Sequence, residues 1–135
     1  MSFVEVSHTA DVKIHATAPT MEALFAEAFA ALMQVMYGPD RKGGIQRTVT
    51  LEAADPESLL HDFLSEVLFI SDVDGLVFSS ARIAISGSRL EAVLDGEPFD
   101  RARHLLGTEV KGISYSGLAI GRDANGYMLD IVFDV

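Results

Sequence analysis

Cysteine is absent from this sequence, which removes disulfide frameworks and thiolate metal sites together. No apolar run approaches the roughly 20 residues needed to cross a bilayer, so no membrane-spanning helix is expected. The start, Met1-Ser2-Phe3-Val4-Glu5, lacks the basic region and apolar stretch of a signal peptide, and a cytoplasmic protein is the expectation. Basic residues are scarce: ten lysines and arginines face twenty acidic residues, a formal charge of −10. That balance repels phosphate backbones and argues against strong direct nucleic-acid binding. It leaves a basic protein partner, a cation or simple solubility as its reason. A phosphate-binding loop is missing too, because Gly43-Gly44 follows no strand and leads to no Gly-Lys-Ser/Thr ending.

The apolar residues that are present, 49% of a 135-residue chain, suffice for one domain with a substantial core. Phe3 to Val6 and Val12 to Ala16 alternate apolar and polar, as half-buried strands do. Thr20 is placed to cap a helix whose stripe is Leu24, Phe25, Ala28, Phe29, Leu32, Met33 and Met36, ending at Gly38-Pro39. Ile45 to Ala53 reads as a strand. Asp55-Pro56-Glu57 is a strong helix start, and Leu59, Leu60, Phe63, Leu64, Val67 and Leu68 form its core stripe. The face opposite carries His61, Asp62, Ser65 and Glu66. Asp72-Val73-Asp74-Gly75 closes this helix, and without the later ligands it is a weak match to a calcium loop.

The remainder is rich in strands. Leu76 to Ile85 and Arg89 to Leu94 flank a Ser86-Gly87-Ser88 hairpin turn. Asp95-Gly96-Glu97-Pro98 reads as a break, Phe99 to Gly107 as an irregular connection containing His104, and Thr108 to Ile120 as a further strand. Asn125-Gly126 signals a turn into a last strand, Tyr127 to Val135. The fold expected is α+β, two helices packed on a mixed, largely antiparallel sheet of about seven strands.

Two carboxylates stand out. Asp11 opens the second strand just after Ser7-His8-Thr9-Ala10, where a short polar break presents side chains from a rigid base. His8 and Asp11 equally suit a turn that satisfies its own backbone. Asp134 is the penultimate residue of a strand apolar on much of both sides. It is therefore expected deep in the sheet, where a carboxylate needs a partner or a cation, beside the terminal carboxylate of Val135. Lys111, between apolar neighbours, is either partner-facing or snorkels to solvent.

With His8-Thr9-Ala10-Asp11 at one end and Val132-Phe133-Asp134-Val135 at the other, the chain resembles the archease family along its whole length. The likeness includes Asp62-Phe63-Leu64-Ser65-Glu66-Val67-Leu68-Phe69, Gly96-Glu97-Pro98-Phe99-Asp100 with His104, and Glu109-Val110-Lys111-Gly112-Ile113-Ser114-Tyr115. Ser116 departs from it, since the family commonly has histidine there. The resemblance implies a single archease-like domain over 1–135 and an auxiliary protein with no catalytic residues of its own. Archeases promote guanylylation and multiple turnover of the GTP-dependent 3′-phosphate RNA ligase of tRNA splicing. It also implies a divalent cation between the positions of Asp11 and Asp134, and oxygen donors without cysteine suit Ca²⁺ or Mg²⁺. His8 and Lys111 are expected beside that ion, facing the ligase. Two other classes remain open: a metal-dependent phosphohydrolase using Asp11, Asp134 and a histidine, and a general chaperone.

Overall fold

Each long helix is bounded by residues whose chemistry sets its ends. The computed structural model describes residues 2–7, 11–105 and 107–135, without the side chains of 5–7. Helix α1 (Met21–Tyr37) starts where the Thr20 side chain accepts the Ala23 N–H, and it stops at Gly38. Helix α2 (Pro56–Asp74) is capped by Asp55, whose carboxylate accepts the Ser58 N–H at 2.7 Å. It runs through Asp72 and Asp74 and ends at Gly75, in the left-handed region at φ 64°, so these acids are helical and form no ion-binding loop.

The two helices meet through their apolar stripes. Phe25 and Phe29 lie 6.3 and 6.4 Å from Phe63, ring centre to ring centre, and all three are buried. Each such side chain stabilises the fold by about 1.5–3 kcal/mol on burial. The stripes expected from the sequence are buried almost throughout; Met36 and Leu68 lie at the margin.

Among the described residues eight strands complete the α+β fold, and they divide into two sheets. The larger contains β1 (Ser2–Ser7), β2 (Asp11–Ala18), β6 (Gly112–Ile113), β7 (Ala119–Asp123) and β8 (Gly126–Asp134). The smaller has β5 (Arg89–Pro98) between β3 (Ile45–Glu52) and β4 (Leu76–Ser86). Every pairing described is antiparallel. Helix α1 packs against β2 and β4 and so touches both sheets, while α2 packs against β3, β4 and β6. Among the described residues no helix is long and apolar enough to cross a membrane.

Strand β8 is the hub of the larger sheet: β2 lies along one edge, and β6 and β7 share the other. Leu129, Ile131 and Phe133 point into the core, and with a side-chain period of two Asp130 and Asp134 must point away. Asp134 is accordingly exposed, which corrects its expected depth.

Three other expectations change. Gly96, Glu97 and Pro98 continue β5 rather than break it. The connection after them holds a short helix, α3 (Arg101–His104). Thr108 to Ile120 is not one strand, because only Gly112 and Ile113 pair with β8 before the chain leaves the sheet and returns as β7.

Candidate metal and partner site

Residues 11 and 134 are brought together by the antiparallel register of β2 on β8. Asp11 and Asp134 are direct partners on the last rung, and Asp134 is in turn the partner of Gly112 across β8. Directly opposed residues of an antiparallel pair have Cβ atoms about 4.5–5.5 Å apart, and like charges there repel. The Asp134 carboxylate leans over β6: a Cβ placed on Gly112 would lie 3.7 Å from its Oδ2. The next residue back, Lys111, donates its backbone N–H to the Asp134 carbonyl at 2.7 Å, and Ser114 donates to Val132 at 3.0 Å. Lys111 is exposed and Asp11 is partly buried.

Asp11 of β2, Asp134 of β8 and Lys111, the residue just before β6, thus meet at one end of one sheet, and Lys111 itself lies outside the strand expected for it. Val135, the residue after Asp134, packs its side chain against the core. His8 lies outside the described residues. Among the described residues no group of three or more His, Asp or Glu side chains gathers in the manner of a metal cage. The donor set at this rung is therefore two opposed carboxylates, with backbone oxygens nearby. That set fits a hard, oxygen-seeking cation, which would also relieve the repulsion between the pair. Further along the same face, His15 and Asp130 are cross-strand partners with a 2.8 Å contact between Nδ1 and Oδ1.

The segment carrying Lys111 is tied to the body on both sides. Upstream, the Thr108 N–H donates to the Val35 carbonyl at the end of α1. Downstream, the His61 ring stacks on Tyr115 with centres 4.3 Å apart, and its Nε2 is 2.9 Å from the Ile113 carbonyl. His61 belongs less to a free helix face than to this link between α2 and β6. Ser116 sits in the turn beyond, its N–H 3.2 Å from the Ser114 hydroxyl.

A second polar cluster escaped sequence reasoning. Arg103 of α3 makes a forked contact with Glu97 of β5 through both terminal nitrogens, and the Lys42 N–H donates to the same carboxylate. Arg103's hydrogen bonds, outweighing the cost of burial, hold the Glu97 carboxyl at about 2. His104 is 1% exposed. Its Nδ1 accepts the Asp100 N–H at 2.9 Å, which leaves the proton on Nε2, 3.2 Å from Glu97 Oε2 but without hydrogen-bond alignment. Gly96 is needed beside this cluster because a Cβ there would fall 2.4 Å from the Val77 carbonyl oxygen. The cluster pins the end of β5, the 40–42 loop and α3 together. The Glu97 to His104 spacing was visible in the sequence, but nothing local marked those residues as partners.

Residues 3–135 match the model of the archease protein family (MTH1598/TM1083). The chain belongs to the archease family. Among curated archeases, the protein from Methanopyrus kandleri is 31% identical over the full length of both chains. That from Pyrococcus abyssi is 34% identical over 95% of this chain and 94% of its own. The solution structure of Methanobacterium thermoautotrophicum protein 1598 superposes with a TM-score of 0.86 at 25% identity, covering 98% of each chain. A Thermotoga maritima structure described as an archease, possible chaperone, shares the fold with a TM-score of 0.69 at 21% identity, over 96% of this chain and 94% of its own. Archease segments noted in the sequence now have places: Asp11 and Asp134 share a rung, and the Glu97 and His104 segment forms the structural pin.

Proposed function

We propose that this protein is an auxiliary factor that activates a GTP-dependent 3′-phosphate RNA ligase of tRNA splicing, promoting its guanylylation and multiple turnover. The observation that carries the reading is the shared rung of Asp11 and Asp134, residues 123 positions apart in sequence and opposite each other at the end of the β2–β8 pairing. A divalent cation, Ca²⁺ or Mg²⁺, supplies positive charge and vacant coordination positions when bound there. Asp11 and Asp134 would hold it together with Val135, and Lys111, the residue just before β6, would present a second cation.

Membership of the family supports the reading, and so does the charge of −10, which suits docking on a basic RNA-binding protein better than gripping RNA. His15 and Asp130 give the phosphohydrolase alternative a histidine on the same face, yet that pair lies four residues along β2 from Asp11. Multiple-turnover ligation of 3′-phosphate RNA is the test. The ligase with this protein should turn over repeatedly, and the ligase alone should stall near one turnover. Equal turnover in both removes the reading, and hydrolysis of phosphoesters by this protein alone replaces it with the enzyme alternative.

A further inference from the structure

A groove of about 660 Å³ opens between the ends of α1 and α2 and the strap that carries Lys111. Met36 and Tyr37 line it from α1, Leu68, Phe69 and Asp72 from α2, and Glu109 from the strap. Both helices therefore deliver their C-terminal ends to one place, linked by a 2.6 Å hydrogen bond between Tyr37 and Ser71. A helix C-terminus carries about half a negative charge and favours a nearby cation. Neither helix supplies one, since the last turn of each lacks a basic residue.

Helix α2 deepens the imbalance. Its sequence holds five acidic residues and no lysine or arginine. Asp74 is neutralised by Arg47 at 3.1 Å; Asp72, Glu66 and Glu109 have no ion pair among the described residues. Burial raises the Tyr37 hydroxyl's pKa, with Asp72's charge adding to it against the Ser71 hydrogen bond. Beside these charges, Phe69 and Val73, one turn apart on α2, are 60% and 62% exposed. Large apolar side chains clustered at a concave, acidic rim mark an interaction surface more than isolated exposure does.

We propose that this groove docks a basic segment of the ligase, one presenting an arginine or lysine beside a large apolar side chain. The apolar stem and neighbour cover Phe69, Leu68 and Met36, and the charged head meets Asp72, Glu109 and the two helix ends. The partner's identity rests on the function proposed above; its chemistry rests on the groove. Continuity with the Asp11 and Asp134 rung supports the assignment, because Lys111 lines the groove and bonds to Asp134 through its backbone. A second copy of this chain is a poor occupant, since it brings its own charge of −10.

The test uses the full chain, ¹⁵N-labelled, with a synthetic Arg/Leu amphipathic peptide and its Glu/Leu counterpart, followed by calorimetric titration of the ligase. The Arg/Leu peptide should shift resonances of Tyr37, Phe69, Asp72 and Glu109, and the Glu/Leu peptide should not. Phe69→Ser and Asp72→Lys should each weaken ligase binding by about tenfold or more, with unchanged circular dichroism because both side chains are exposed. Excess groove variant should restore full stimulation of guanylylation, whereas Asp11→Ala should fail at any concentration. Ligase affinity unchanged in both groove variants, peptide shifts elsewhere, or self-association through this face overturns the docking proposal. Ligase binding that depends on the groove but brings no stimulation overturns the proposed function and leaves the groove standing.

Discussion

Replacing Phe133 by alanine tests whether the last strand carries the fold as well as the site. Phe133 is fully buried and faces Val12 on β2 and Ile113 on β6, one rung from Asp134. Removing the ring exposes or empties on the order of 100–150 Å² of apolar surface, about 2.5–4 kcal/mol at roughly 25 cal/mol per Å². A residual cavity among packed neighbours brings the expected loss to about 3–5 kcal/mol. That is a large share of the roughly 5–15 kcal/mol available to a domain of this size. At about 4 °C per kcal/mol, Tm should fall by about 12–20 °C. Asp134→Asn, made at an exposed position on the opposite face, should move Tm by only a few degrees in cation-free buffer, about the scale of a surface change. Chemical and thermal unfolding followed by circular dichroism give both numbers. A Phe133→Ala loss below about 1 kcal/mol would show that β8 is peripheral and refute its role as the hub.

Two further outcomes follow from the polar clusters. Glu97 is held at about 2 in the fold against an ordinary 4.5, by the Arg103 hydrogen bonds above all. Its contribution to stability is thus complete above about pH 4.5 and lost as pH falls towards 2. Glu97→Gln should lower stability at neutral pH and flatten the loss across that window; parallel pH curves for parent and variant would count against the pin. For the cation, calorimetric titration with Ca²⁺, Mg²⁺ and Mn²⁺ should show one site, lost in Asp11→Ala and in Asp134→Ala. Binding unchanged in both would dispose of the shared rung as a metal site.

Where the determinants were local, the sequence was legible. Thr20, Asp55-Pro56 and Gly75 bound the two helices as their capping chemistry requires, and the alternation of β8 set which residues enter the core. Asp134 lies at the surface although Met128 and Val132 make the outer face of β8 look apolar, because from this strand the core takes only Leu129, Ile131 and Phe133. Thr108 to Ile120 has a strand's alternation, yet on that edge of β8, β6 pairs only with Phe133 and Asp134, and β7 pairs with Gly126 to Asp130. Gly96 looked like a break because what demands it, the Val77 carbonyl on the neighbouring strand, is a tertiary contact. His61 reads as part of a free helix face for the same reason, since its partner Ile113 is 52 residues away. The Asp11 and Asp134 pairing was within reach because both residues sit at strand ends, and the register alone had to be supplied by the fold.

The most direct measurement of the central claim is covalent guanylate on the ligase, followed with radiolabelled GTP at substoichiometric amounts of this protein. The parent should raise the guanylylated fraction well beyond its own molar amount. Asp11→Ala, Asp134→Ala and Lys111→Ala should remain folded and lose that stimulation. Full stimulation by all three folded variants would contradict the account.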